Sequence, residues 1–305
     1  MEIANPIYDV VFKYLMQDSR VSKLLISKII EEEILSIDCL PHDYPVHIQT
    51  EAKSLTVLRL DFSAKIKTPK GTKQVLIEIQ KGKFASDLMR FRRYLGQQYQ
   101  NRENVEDVVV KGRMIKQPIP IITIYFLGHE LDHHKDIPVI KVKRHYYDAA
   151  TGQKITERET FIESLTHDSF VIQIPSLKEK RRNDLEQFLG IFDQSNIGSN
   201  DHLLNINEED YPEECRPLIR RLLQAYSEPE VRNAMDVEDE ILEELQDLER
   251  LIEQKDKVLV DNAKVLSQNA KVLVEKDKAL DEKDKALDEK DRIIQTLQRK
   301  LEGKG

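Results

Sequence analysis

The sequence predicts a mixed α/β domain, then a helical region, then a long heptad-repeat helix. Strand-like alternation of apolar residues between Leu55 and Gln80 gives the β part, and the nearly continuous apolar run Ile119 to Leu127 gives a central strand. From Asp236 onward Leu or Ile returns every seven residues, which gives the terminal helix. The expected boundaries are 1–195 for the α/β domain, 196–235 for the helical extension and 236–305 for the heptad helix.

Taken in order, Asn5 to Met16 reads as a short helix, with Asn5 as cap and Pro6 in the first turn. Asp9 and Lys13 lie four apart and share one face, as a helical ion pair would. Asp18-Ser19 caps a second helix, whose apolar stripe of Val21, Leu24, Leu25 and Ile29 is made for packing.

The next stretch organises the rest. In "LTVLRLDFSAKI" and "KQVLIEIQK", Leu58, Leu60, Phe62 and Ala64 alternate, then Val75, Ile77 and Ile79, as in two half-buried strands. Thr68-Pro69-Lys70-Gly71 supplies the turn between them. With Pro69-Lys70 at the turn centre, Asp61 and Glu78 face each other across the hairpin, and Gln80 shares the face of Glu78. A bulge would shift that pairing by one residue. Two carboxylates so close repel unless a cation lies between them, and oxygen donors select Mg²⁺ or Mn²⁺. An ordinary solvated polar face is the other reading of the same residues.

Ala85 to Gln100 reads as a helix, with Leu88, Phe91 and Leu95 as its core stripe and Arg90, Arg93, Tyr94, Gln97 and Tyr99 also on it. Arg90 and Tyr94, one turn apart, suit contact with phosphate and with bases or sugars. A snorkelling Arg beside an aromatic ring is the plainer reading. Between Gln80 and Lys116 nine Lys and Arg stand against four Asp and Glu, although the chain as a whole carries −8. Such a basic segment beside paired carboxylates fits a phosphodiester substrate.

At this point the chain resembles a known family, the PD-(D/E)XK nuclease superfamily, and within it the recombination-promoting nucleases and transposases of the Rpn type. The residues that carry the resemblance are "YDVVFKYL", "LRLDF", "IEIQ", the Arg90 and Tyr94 pair, "PIPIITIYFLG" and "LEQFLGIFD", spanning about Asn5 to Asp193. The resemblance implies a restriction-endonuclease-like mixed sheet flanked by helices, and a Mg²⁺-dependent (or Mn²⁺-dependent) DNA endonuclease. It implies Asp61 and Glu78 as metal ligands, with Gln80 where the family signature usually has Lys. It also places Asp9 at the edge of the metal site as an auxiliary acid. Gln80 orients a water but brings no charge, so Lys13 or Arg90 is expected to supply it near the phosphate. DNA contacts fall to Arg90, Arg93 and Tyr94.

Beyond the central strand, His129-Glu130-x-x-His133 matches a zinc-protease signature, which needs both imidazoles on one face of a helix. Here it sits between two strands with barely one turn of room, so a polar connection is expected. Val139 to Tyr147 and Phe170 to Ile174 read as strands, Leu177 to Ile191 and Pro217 to Ala225 as helices.

In the tail, Leu or Ile occupies 245, 252, 259, 266, 273, 280, 287, 294 and 301, and "KDKALDE" repeats from Lys276. With that line at position a, position d holds mostly Lys and Asn, which weaken a coiled coil while restricting register. A homo-oligomer through this helix and a largely solvated single helix both fit. Cys39 and Cys215 lack metal spacing and suit a reducing compartment. No apolar run spans a bilayer or resembles a signal peptide, so a cytoplasmic protein without membrane partners is expected. The competing class is a nuclease fold without catalysis, serving as a DNA-binding or assembly module, with a zinc hydrolase through His129 and His133 third.

Overall fold

The computed structural model describes residues 1–49, 54–82, 85–178 and 182–302; of these, 40–49, 54–61, 85–88, 90, 110 and 298–302 are described as backbone only. The chain runs β1 (Glu2–Ala4), α1 (Asp9–Met16), α2 (Ser19–Ile30), β2 (Ser36–Gln49), β3 (Ser54–Thr68), β4 (Gly71–Gln80) and α3 (Ala85–Gln100). It continues through β5 (Val105–Val110), β6 (Arg113–Pro118), β7 (Ile121–Leu127), β8 (Val139–Val142), β9 (Tyr146–Tyr147), β10 (Lys154–Ile155), α4 (Thr160–Leu165) and β11 (Asp168–Gln173). Then come α5 (Asp184–Leu189), β12 (Leu203–Asn205), α6 (Arg216–Ser227) and α7 (Pro229–Glu302).

The expected α/β architecture is present as a six-stranded mixed sheet in the order β2-β3-β4-β7-β11-β8. β2, β3 and β4 form an antiparallel meander. The chain then crosses through α3 to β7, which lies parallel to β4 and to β11. β7 is thus interior, as its apolar sequence requires of a strand covered on both faces. Phe62, Ala64, Val75, Ile77, Ile79, Ile124, Phe126, Phe170 and Ile172 point into the main core. There they meet α1, α2 and α6; Phe12 of α1 packs on Phe126 with ring centroids 5.4 Å apart. On the opposite face a smaller cluster joins Leu76 and Ile121 to Phe91 and Tyr94 of α3.

Several local expectations shift. α1 starts at Asp9; Asn5 Oδ1 accepts from the Ile7 amide at 3.2 Å, and its Nδ2 donates to Gln194 Oε1 at 2.8 Å and to the Asp201 carbonyl at 2.7 Å. Asp18 does cap α2, accepting from the Arg20 and Val21 amides at 2.9 and 3.4 Å. The strand expected over Val139 to Tyr147 is two strands, β8 and β9, and β9 turns away to pair with β10. Of the helix expected from Leu177, α5 keeps six residues, between short 3-10 turns.

The chain divides into two compact units, Met1–Glu243 and Glu244–Gly305. Residues beyond 195 are built into the first unit by β12 pairing with β1, and by Leu218, Ile219 and Leu222 of α6 entering the main core. The first turns of α7 are fastened there too. Asp239 accepts from Lys81 Nζ at 2.5 Å and from Tyr8 Oη at 2.9 Å, and lies 2.8 Å from His202 Nε2. The Lys81 ammonium also sits 3.5 Å from the Tyr8 ring centroid. Burial raises the Asp239 carboxyl, but the hydrogen bonds from Lys81, His202 and Tyr8 outweigh it and hold the group below the usual carboxylate range.

α7 is one helix of 74 residues. In its second unit the heptad residues are bare: Leu259 is 64% exposed, Leu266 68%, Leu273 60%. No helix among the described residues is long and apolar enough to cross a membrane.

Candidate active site

The hairpin of β3 and β4 closes on Pro69-Lys70, with Thr68 and Gly71 directly paired. Thr68 Oγ1 donates to the Gly71 carbonyl at 3.0 Å and accepts from the Lys70 amide at 3.2 Å. Gly71 has φ +123°, a conformation other residues resist. From this turn the ladder runs unbroken to Phe62 opposite Ile77, without a bulge. The β3–β4 pairing ends there, and Asp61 and Glu78 are the next residue on each strand. On its other side Asp61 pairs with His42 of β2. The side chain of Asp61 lies outside the described residues, so its position here is that of its backbone.

Glu78 is 2% exposed. Its neighbour across the parallel ladder is Tyr125, and the two therefore share a face. Burial first, and the Glu78 carboxylate with it, push the Tyr125 phenol up, while a bond to Thr123 pulls the other way. Tyr125 also meets Phe91 edge-on at 4.5 Å between centroids. Glu78 is thus walled by a phenol and by α3, in surroundings of low polarity that strengthen any charge interaction made there.

Gln80 is half-buried at the end of β4, next to Leu127. The Gly128 amide donates to the Gln80 carbonyl at 2.7 Å. A Cβ on Gly128 would collide with the backbone carbonyl of Lys81 and stand 2.9 Å from that of Gln80. Only glycine lets the chain leaving β7 pass this close, and the passage fixes where Gln80 sits. Lys81 points to the opposite face, as strand alternation requires, and is occupied by Asp239 and Tyr8.

Asp9 and Lys13 ride on α1, which covers the apolar face opposite Glu78 but begins at the same end of β4, beside Lys81. The Asp9 amide donates to Glu238 Oε1 at 3.1 Å. On α3, Arg93 and Gln97 are exposed, and the Arg90 side chain, like that of Leu88, lies outside the described residues. Tyr94 differs from its expected place: it is 3% exposed and packs into the cluster around Phe91 and Leu76. The buried arc of α3 centres on Phe91 and takes in Tyr94, about 60° round the helix. So placed, the ring is a packing element and not a surface for stacking bases.

His129 to His133 form no helix; the segment is a loop. Fully buried Gln173 ties it down, its Oε1 accepting from the Leu131 amide at 2.6 Å and its Nε2 donating to the carbonyls of His134 and Ile137 at 2.7 Å. The helical spacing that zinc-protease chemistry needs is therefore missing. Among the described residues no group of three or more His, Cys, Asp or Glu is arranged to hold a metal ion. The oxygen donors at this end of the hairpin are those of Glu78 and Gln80, with Asp61 one step beyond the paired ladder, a set that fits Mg²⁺ or Mn²⁺ in kind.

Sequence reading missed Tyr125 as part of the site. The signal was present: Thr123 and Tyr125 alternate with Ile122, Ile124 and Phe126, marking one face of the apolar strand as polar. It missed Asp239 for a different reason, since a residue 158 positions from Lys81 leaves no local trace. In comparisons with protein-family models, curated proteins and solved structures, the chain matches none.

Proposed function

We propose that this chain is a DNA endonuclease that hydrolyses phosphodiester bonds with Mg²⁺ or Mn²⁺. The observation that carries the reading is the unbroken β3–β4 register from the turn to Phe62 opposite Ile77, which, carried one step further, would bring Asp61 to Glu78 on the face shared with Gln80. The order β2, β3, β4, α3, β7, with β4 and β7 parallel, agrees with a restriction-endonuclease-like core. The resemblance to recombination-promoting nucleases and transposases supplies the substrate class.

Asp61 and Glu78 would hold the cation, which when bound supplies positive charge at the scissile phosphate and acidifies a nearby water. The protein's own groups do the positioning. The Gln80 carboxamide orients water through its oxygen and NH₂ without exchanging a proton. Arg93, exposed on α3, and Arg90 supply phosphate contact, and Lys13 and Asp9 approach from α1 at the end of β4. The exposed heptads of α7 fit association with a second copy as a coiled coil.

A second reading, a DNA-binding or assembly module without catalysis, draws on the depth of Glu78 and on Gln80 in place of Lys. Plasmid cleavage by the full chain in Mg²⁺, against EDTA and against Asp61→Ala and Glu78→Ala, decides between them. Metal-dependent cutting that falls at least about a hundredfold in both variants is expected. Cutting that persists in both overturns the site, and an inactive wild type that still shifts DNA favours the binding module.

A further inference from the structure

Among the described residues β5 and β6 stand apart from the six-stranded sheet as a hairpin paired only with itself, from Val105 opposite Pro118 to Val110 opposite Arg113. Lys111 and Gly112 turn it, both with positive φ (52° and 75°), the two-residue primed turn that matches strand twist. The base is anchored. Buried Asn104 donates to the Gln98 carbonyl at 3.0 Å and to Gln98 Oε1 at 3.1 Å, and its carbonyl accepts from the Ile119 amide at 3.1 Å. Beyond the base the ribbon reaches outward by about 20 Å.

The outer part is bare and carries an excess of positive charge. Val109 and Met114, directly opposite each other, are 66% and 71% exposed, and Ile115 is 44% exposed. Residues 108–116 carry Lys111, Arg113 and Lys116, in a chain of net charge −8, and the nearest carboxylate is Asp107, paired with Lys116 across the ladder. Water-exposed Val and Met at the end of an anchored ribbon call for an occupant, and the three cations select a polyanion.

We propose that the β5–β6 hairpin is a duplex-DNA contact, inserting its tip into the major groove. A two-stranded ribbon fits a groove about 12 Å wide, where Val109 and Met114 reach thymine methyl groups while Lys111, Arg113 and Lys116 meet the flanking phosphates. The proposal rests on the nuclease reading for its substrate and adds a second anchor to it. Glu106, at the hairpin base, lies beside Gly71 at the opposite end of β4 from Glu78. The seven residue steps from Gly71 to Glu78 span about 23 Å, roughly seven base pairs of B-DNA. One duplex lying along β4 would meet both.

The chain has no Trp, so Met114→Trp in the full-length protein places a single indole at the tip. Titrated in EDTA with a 30-base-pair duplex, its fluorescence is expected to shift or quench as DNA binds. Replacing Lys111, Arg113 and Lys116 together by Gln is expected to weaken binding about tenfold or more at low salt. It should also flatten the dependence of log affinity on log salt by about 3. DNA binding with a silent indole, unchanged affinity and slope in the Gln variant, or no DNA binding at all would each overturn the proposal. Plasmid cleavage in Mg²⁺ is scored separately: an indole response without cleavage upholds the hairpin while sinking the nuclease reading, and cleavage without a response does the reverse.

Discussion

The unit to Glu243 and the helix beyond it both carry regular apolar patterns, and they meet opposite fates. In β7 the alternating Ile122, Ile124 and Phe126 are buried against α1 and neighbouring strands. In α7 the seven-residue line of Leu259, Leu266 and Leu273 is more than half exposed. Periodicity tells which residues share a face, and it does not tell whether the chain itself provides what covers that face. In the first unit the chain does, by wrapping β12 and α6 back onto β1 and α1. Over the tail, mostly Lys and Asn hold position d, and the Leu line is left exposed beside Val258, Val265 and Val272.

Paired substitutions break that comparison most sharply. Phe126→Ala should cost about 3–5 kcal/mol, seen as a large drop in the thermal midpoint of the first unit. Leu273→Ala should move that midpoint by less than the equivalent of about 0.5 kcal/mol, since it removes exposed carbon. If the tail pairs with a second copy, sedimentation equilibrium will show Leu273→Ala dissociating more readily. A midpoint that falls equally in both variants would mean that the two regions are not energetically separate.

Gly128→Ala comes next in size. The added methyl has backbone carbonyls in its way, so the junction between β4 and β7 must move, at about 1–3 kcal/mol. Cleavage should fall more than stability does, because the same junction sets Gln80. An Ala variant with full activity and an unchanged midpoint would show that this close approach positions nothing.

The smallest effect is that of acid on the Asp239 fastening. Its carboxyl is depressed in the folded chain, so its contribution is present above the unfolded value near 3.9 and is lost as pH falls through the lower folded value. Asp239→Asn should therefore cost about 1 kcal/mol at pH 7, kept small because a third of the side chain meets solvent, and nothing once wild type is itself protonated. Urea midpoints of both proteins from pH 7 to pH 2 should converge below about pH 4; parallel curves would mean that Asp239 does not hold α7.

The sequence by itself determined what rests on near neighbours. Period-two alternation and a Pro-Lys turn with Gly after it specified the β3–β4 hairpin and its register from Thr68 opposite Gly71 to Phe62 opposite Ile77. The heptads specified one long helix, and Asp18 specified where α2 begins. Only tertiary structure decided the rest, because it turns on contacts between residues far apart in the chain. It tied Asn5 to Gln194, and it turned Tyr94 inward with Phe91. It set Tyr125 beside Glu78 and closed Asp239 onto Lys81, Tyr8 and His202. Local rules fix which way a side chain points along its own element; what it then meets is decided by where the other elements pack.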